Sequence, residues 1–297
     1  MLAMSRVAFA VKVVKIGLVC FSLASFSFCT KAGAPKQEIA LQHPFKHDLH
    51  LTKIPSKTSK GASSVMLCFH GMGGDYRIVE YVNQYSGIDT NFFSFNFPDY
   101  GIKLGSFQPE DTHMGSVDEI LPALYVLKQA VIVDKFRKVS LYGFSAGGGV
   151  IINTLTALNT TSADERLKEI GIGPKEKKKI ISALRNGVIL LDAPLKSVGE
   201  MKAFLEPMRE IEIVGARYKN NEMEPIENIE KLKGLNLHYI VNFQSPDEVL
   251  SNRDDQLYIE KLRSISGPKG SVAFVIEGKG HSLPHQHLWD LYLQATK

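Results

Sequence analysis

The sequence predicts an α/β protein with a doubly wound, mostly parallel sheet, on the strength of three observations. Short apolar runs recur along the 297 residues, segments with helical periodicity separate them, and no internal repeat is present. Alternation of buried strands with helices is typical of a parallel sheet that carries helices on both faces. We expect strands at residues 65–69, 91–97, 139–144, 187–191, 237–243 and 271–277.

The chain begins with a segment that is separate from this core. Basic residues precede an apolar run at 16–28, and small or polar residues follow it. That order is typical of a secretory signal, so residues 1–34 are predicted to be a signal peptide or an N-terminal anchor. The protein is then exported, as a secreted, periplasmic or membrane-anchored product. Cys29 is a candidate for lipidation, although Phe28 before it is larger than the residue such sites prefer.

The rest of the chain is predicted to consist of a linker and one domain. Residues 35–45 are predicted to be a linker, and residues 46–297 a single domain that opens on an edge strand at 47–54. A chain with 44% hydrophobic and 22% charged residues, and a net charge of +4, has an ordinary composition for a globular domain. The stretch 195–234 carries an apolar stripe and is a candidate for a small helical lid.

The first core strand stops in a glycine-rich turn, His70-Gly-Met-Gly-Gly74. One interpretation is a turn whose backbone amides bind an oxyanion, with Met72 as the donor. A phosphate-binding loop is disfavoured because neither a following Lys-Ser/Thr nor a G-x-G-x-x-G spacing is present. A tight turn without a ligand is the remaining alternative.

The third core strand leads into a G-x-S-x-G motif at Gly143–Gly147, directly before a helical run at 150–158. A serine between a strand and a helix is the arrangement of a nucleophile elbow, in which the turn is sharp and strained. The glycines allow the backbone to pass closely on either side. In such a turn the residue after the serine, Ala146, donates the second amide to an oxyanion.

Together, the segments HGMGGD, PDYG, GFSAG and the late GKGH resemble the alpha/beta-hydrolase superfamily, that is, its serine esterases, lipases and aminopeptidases. The resemblance runs from about residue 46 to the C-terminus. It implies the alpha/beta-hydrolase type of sheet, a catalytic Ser145, and triad residues in the order Ser, acid, His along the chain.

The base is expected in the loop after the last strand, where His281 follows Lys279-Gly280. A loop beyond the carboxyl end of that strand lies on the same edge of the sheet as the serine. His285 and His287 are rivals, but they come after Pro284, where the C-terminal helix is expected to start.

The acid has more candidates. Asp247, in an Asp-x-Val loop after the penultimate strand, has the position that the resemblance implies. Asp192 is the main alternative because some members of the superfamily take the acid from the preceding strand. The remaining rivals are Glu248, Asp254 and Asp255.

The resemblance implies a serine hydrolase that cleaves a carboxylic ester, including lipid-like esters, through an acyl-enzyme on Ser145, with Asp247 and His281 completing a triad. Peptidases and thioesterases use the same residues, and a non-catalytic surface protein on the same fold is a further alternative. No cofactor, metal site, nucleic-acid contact or protein partner is predicted, because neither the His and Cys spacing nor the basic clusters match such sites.

Overall fold

The computed structural model describes residues 37–41, 49–59, 63–71, 74–95, 117–197, 200, 224–281, 283 and 285–296. All of them belong to one compact unit, Ala34–Lys297. The predicted leader, 1–34, lies outside the described residues, and so do Met72 and most of the candidate lid at 195–234.

Eight strands form a single sheet. They are β1 (Gln37–Leu41), β2 (Leu49–Ile54), β3 (Ser64–Phe69), β4 (Asn91–Phe95), β5 (Lys138–Phe144), β6 (Ile189–Asp192), β7 (His238–Phe243) and β8 (Ser271–Ile276). Their order across the sheet is β1-β2-β4-β3-β5-β6-β7-β8. The pairs β1–β2 and β2–β4 are antiparallel, and every other pair is parallel. The predicted mostly parallel, doubly wound sheet is confirmed.

One part of the chain departs from the prediction. Residues 35–45 were expected to be a linker, but β1 occupies Gln37–Leu41 and pairs antiparallel with β2. The segment is only five residues long, and its hydrogen-bonded pairing with β2 makes it a strand. β1 is therefore the edge of the sheet, and β2, which was expected to be an edge strand, pairs on both sides. The domain therefore starts earlier than residue 46.

Helices cover both faces of the sheet. They are α1 (Ile78–Tyr85), α2 (Val117–Lys128, continued by a π-helical turn at Gln129–Val133), α3 (Ala146–Asn159), α4 (Asp164–Glu169), α5 (Pro174–Arg185), α6 (Pro225–Asn228, continued by a 3₁₀ turn at Ile229–Leu232), α7 (Asp255–Ile265) and α8 (Gln286–Ala295). One face packs against α1 and α8, with Met66, Tyr142 and Trp289 at its centre. On the other face, α3, α5 and α7 contact the strands.

The register aligns the carboxyl ends of the strands at one edge of the sheet. Phe144 at the end of β5 pairs with Asp192 on β6, and Asp192 pairs with Asn242 on β7. In parallel sheets, ligands bind beyond this edge. The polar residues that follow these strands are therefore brought to one place.

Among the described residues, no helix is both long and apolar enough to cross a membrane.

Candidate active site

Ser145 lies in a sharp turn between β5 and α3. Its backbone has φ 54° and ψ −121°, a region that a residue with a side chain rarely adopts. Three backbone hydrogen bonds hold the turn: the Ser145 amide donates to the Asp192 carbonyl at 2.9 Å, and the Ser145 carbonyl accepts from Gly148 at 3.0 Å and Leu195 at 2.9 Å. Strain of this kind persists only where the surroundings fix it. The turn is therefore a rigid elbow.

The two glycines of the motif are required by close packing. A Cβ on Gly143 would lie 2.7 Å from the Gly147 carbonyl oxygen. A Cβ on Gly147 would lie 2.5 Å from the Phe69 carbonyl oxygen and 2.6 Å from that of His70. Real Cβ atoms do not approach backbone this closely. The elbow consequently presses directly against the end of β3.

The structure brings His281 and Asp247 together beside this elbow. His281 Nδ1 lies 2.9 Å from Asp247 Oδ2, and both side chains are buried. The imidazole packs against Phe144, the residue before Ser145, with 5.0 Å between ring centroids. His281 has a positive φ of 59°, a backbone conformation that residues with a side chain rarely adopt. Because Nδ1 faces the carboxylate, Nε2 is the ring nitrogen directed away from Asp247.

The Asp247 carboxylate is held by its own loop as well as by the histidine. Its Oδ1 accepts the amides of Val249 and Leu250, both at 2.8 Å. Burial raises the pKa of Asp247, but the bond from His281 and these two amides outweigh it, and the net pKa lies below the usual value. The group is therefore a carboxylate at neutral pH.

The loop that carries Asp247 is tied down by side chains that include one of the rival acids. Asn252 accepts from the Asp247 amide and donates to the Gln244 carbonyl at 2.7 Å. The buried ammonium of Lys196 donates to the Ser251 carbonyl at 2.7 Å and to Asp255 at 2.9 Å. Asp255 thus braces the loop through Lys196. The described contacts of His281 Nδ1 are with Asp247 and not with Glu248, Asp254 or Asp255.

Gly71, where the glycine-rich stretch after β3 begins, lies beside the serine. Met72 itself is outside the described residues, but a Cβ on the neighbouring Gly71 would lie 3.1 Å from Ser145 Cβ. His70 is buried, its Nδ1 lies 2.8 Å from the Gly71 carbonyl oxygen, and burial lowers its pKa to about 4. A neutral His70 therefore supports this turn. Ala146 begins α3, where the first amides have no partner within the helix.

Solved structures share the architecture that positions these residues. The chain is similar to a lipase/esterase from Lactobacillus plantarum, with a TM-score of 0.60 at 12% identity over 88% of this chain and 99% of that one. An arylesterase gives a TM-score of 0.58 at 13% identity, over 94% and 87% of the two chains. An acylaminoacyl peptidase from Pyrococcus horikoshii gives 0.56 at 11% identity, over 88% of this chain and 40% of that one.

The chain has the alpha/beta-hydrolase fold. No protein-family model and no curated protein matches its sequence. At such low identity the solved structures establish the fold and do not identify a substrate.

The chain contains a second histidine–carboxylate pair that sequence reasoning missed. Asp192 and His285, considered separately as a rival acid and a rival base, are bonded to each other. Tyr142 and Asn242 complete the environment of Asp192. In the sequence, the feature that could have indicated a polar cluster around Asp192 is the position of Asp192 and Asn242 at the ends of adjacent strands.

Within the part of the alpha/beta-hydrolase domain that is described, no group of three or more His, Cys, Asp or Glu side chains could hold a metal ion. Cys68, on β3, is a free and buried thiol, and burial raises its pKa.

Proposed function

We propose that this protein is a serine hydrolase that cleaves a carboxylic ester through an acyl-enzyme on Ser145. The observation that carries the proposal is the buried 2.9 Å contact between His281 and Asp247 beside the strained elbow of Ser145. A carboxylate that orients an imidazole next to a serine is the arrangement that activates a hydroxyl nucleophile.

The reaction follows from these positions. Ser145 Oγ forms a bond to the ester carbonyl carbon while His281 Nε2 accepts the hydroxyl proton. The negative charge moves to the carbonyl oxygen, where the amides of Ala146 and Met72 bind it. The carbon–oxygen bond to the alcohol then breaks, and His281 returns its proton to the departing alkoxide. Water repeats the sequence on the acyl-enzyme, giving the acid and free Ser145.

Asp247 contributes through charge and orientation. The imidazolium that forms on His281 needs a nearby anion, and the lowered pKa of Asp247 keeps that anion present at neutral pH. The Nδ1 contact also fixes the ring, so that Nε2 stays directed away from Asp247.

A fluorophosphonate probe tests the nucleophile without assuming a substrate. Wild type should be labelled on one serine, and Ser145→Ala should lose labelling while keeping its unfolding midpoint. Residual ester turnover in Ser145→Ala above about a thousandth of wild type would contradict the assignment. Ser182→Ala, an exposed serine on α5, is the matched control and should label normally.

Substrate class is separated by parallel assays. p-Nitrophenyl esters from acetate to octanoate, an aminoacyl-p-nitroanilide and an acyl thioester should be compared by kcat/KM. We expect the esters to be turned over best. Preference for the anilide or the thioester would assign a peptidase or a thioesterase with the same residues. A folded wild type that neither labels nor turns over any of the three would indicate a non-catalytic binding protein.

We also propose export, on the order of basic, apolar and small residues within 1–34. Mass analysis of the mature N-terminus tests this. A start near Gly33 or Pro35 indicates cleavage, and a diacylglyceryl-modified start at Cys29 indicates a lipoprotein held at a membrane, where lipid-like esters are the available substrates. An intact Met1 in the cytosolic fraction would refute export.

A further inference from the structure

The second histidine–carboxylate pair is buried more completely than the first. His285 Nδ1 lies 2.8 Å from Asp192 Oδ1 and 2.9 Å from Oδ2, and each side chain is only 1% exposed. No substrate can reach a pair in this position. Its Nε2 has no hydrogen-bond partner among the described residues. A buried ionisable pair is costly to desolvate, so its presence is weak evidence for a contribution to stability.

Asp192 connects the pair to the serine. Its backbone carbonyl accepts the Ser145 amide at 2.9 Å, so one residue bonds both the elbow and His285. Its carboxylate also accepts from the Tyr142 hydroxyl and the Asn242 amide, each at 2.9 Å. These donors come from β5 and β7, the strands on either side of β6. The carboxylate is therefore fixed from three strands and has little freedom to move.

His285 connects the pair to the loop that carries His281. It is the last residue before α8, four positions after His281. The loop leaves β8 through Gly278, where φ is +88° and a Cβ would lie 2.5 Å from His285 Nε2. At the base of the loop, the Glu277 carboxylate accepts the amides of Gln286 and His287. Gly278 thus lies against the His285 ring, and Glu277 ties the start of the loop to the first residues of α8.

We propose that Asp192 and His285 are positioning residues, which hold the His281 loop in register with the Ser145 elbow. Neither residue touches the substrate. Their bond links two parts of the site. One is the Ser145 elbow, which follows β5, and the other is the His281 loop, which follows β8. The catalytic consequence rests on the proposed hydrolase function, whereas the placement of His281 is a property of the folded protein in either case.

The ionisable groups around the pair favour a charged imidazolium. Burial lowers the pKa of His285, but the charge and hydrogen bond of Asp192, together with Glu277, outweigh it and leave the pKa raised. Tyr142 faces the carboxylate, and burial with the Asp192 charge raises the pKa of that phenol well above its usual value. The raised pKa of Tyr81 includes a contribution from Asp192 too. These phenols stay neutral, so neither adds a negative charge beside the Asp192 carboxylate.

Substitutions at position 285 test the proposal in the full chain. His285→Leu removes the donor at similar size, and His285→Asn restores a donor near the Nδ1 position. The direct readout is the proton NMR signal of the His281 Nδ1–H bond to Asp247, assigned by its loss in His281→Gln. We expect His285→Leu to shift or lose that signal and His285→Asn to recover it.

Kinetics on p-nitrophenyl acetate provide the second readout. In His285→Leu we expect kcat to fall about tenfold to a hundredfold with KM little changed, since small displacements of a reacting group have effects of this size. His287→Gln, with an exposed ring two residues away, is the control and should match wild type. If His285→Leu does not fold, Tyr142→Phe removes one bond to Asp192 and should shift the His281 signal in the same direction.

Two outcomes would overturn the proposal. One is an unchanged His281 signal in folded His285→Leu, and the other is a drop in kcat that His285→Asn does not recover. If wild type neither labels nor hydrolyses esters, the proposed function fails, but the NMR comparison still decides whether the pair positions His281.

Discussion

Replacing Gly147 with alanine should damage this protein, although the same change in most helices is beneficial. Gly147 lies in the first turn of α3, where alanine normally stabilises by about 0.5–1 kcal/mol. Here the new Cβ would lie 2.5 Å from the Phe69 carbonyl oxygen, whereas ordinary contact begins at 3.4 Å. Either α3 or the end of β3 must therefore move by about 0.9 Å.

The expected magnitudes follow from that displacement. Overpacking of this kind typically costs about 1–3 kcal/mol, so the free energy of unfolding should fall despite the helix preference. The residues that must move lead into the glycine-rich turn beside Ser145. A shift of nearly 1 Å at a reacting site can lower a rate by about a hundredfold. We expect the rate of fluorophosphonate labelling to fall by that order.

The assay compares labelling rate and urea unfolding for wild type, Gly147→Ala and Gly173→Ala. A Cβ on Gly173, before α5, would meet only the Glu176 carboxylate at 3.2 Å. That control should lose a little stability, because alanine is a poor N-cap, and should label normally. Gly147→Ala that labels within threefold of wild type, or that unfolds at higher urea, would refute the packing argument.

Three further predictions concern single groups. Asp247→Asn should lower kcat by about four orders of magnitude while Asp192→Asn lowers it far less; the reverse order would move the acid to the end of β6. The pKa of Asp247 is below its ordinary value of 3.8, so the ionised group stabilises the fold above that pH, and this stabilisation is lost as the pH falls below it. The unfolding free energies of wild type and Asp247→Asn, measured by urea titration, should therefore converge between pH 6 and pH 3. Cys68 should resist iodoacetamide in the native protein at pH 8 and react in urea, as followed by mass; rapid native reaction would contradict its burial.

Most of the sheet could be predicted because its central strands are continuous apolar runs. The expected strand at 139–144 is β5 at Lys138–Phe144, which is almost entirely buried. The expected strand at 271–277 is β8 at Ser271–Ile276, but it lies at the edge of the sheet and is partly exposed, although its apolar run indicated a buried strand. β1 was not predicted because its pairing, and not its composition, makes it a strand. The proximity of His281 and Asp247 was also foreseeable, since both follow adjacent parallel strands.

The partner of Asp192 could not be predicted in the same way. Asp192 and His285 are 93 positions apart, and their contact depends on the register of β5, β6 and β7. From local sequence, each was a candidate for a catalytic role. The structure instead pairs them and leaves Asp247 for His281.

The placement of His281 after the last strand has a consequence for how this protein matures. The serine elbow forms on β5, whose neighbours β3 and β6 lie within about fifty to eighty residues of it, so it can take shape early in synthesis. The histidine joins only when β8 and α8, which follow every other described element along the chain, dock against β7. A chain in which β8 has not yet docked therefore has the strained Ser145 turn but not His281 beside it. Under the function proposed above, ester hydrolysis would then begin only once β8 and α8 have docked.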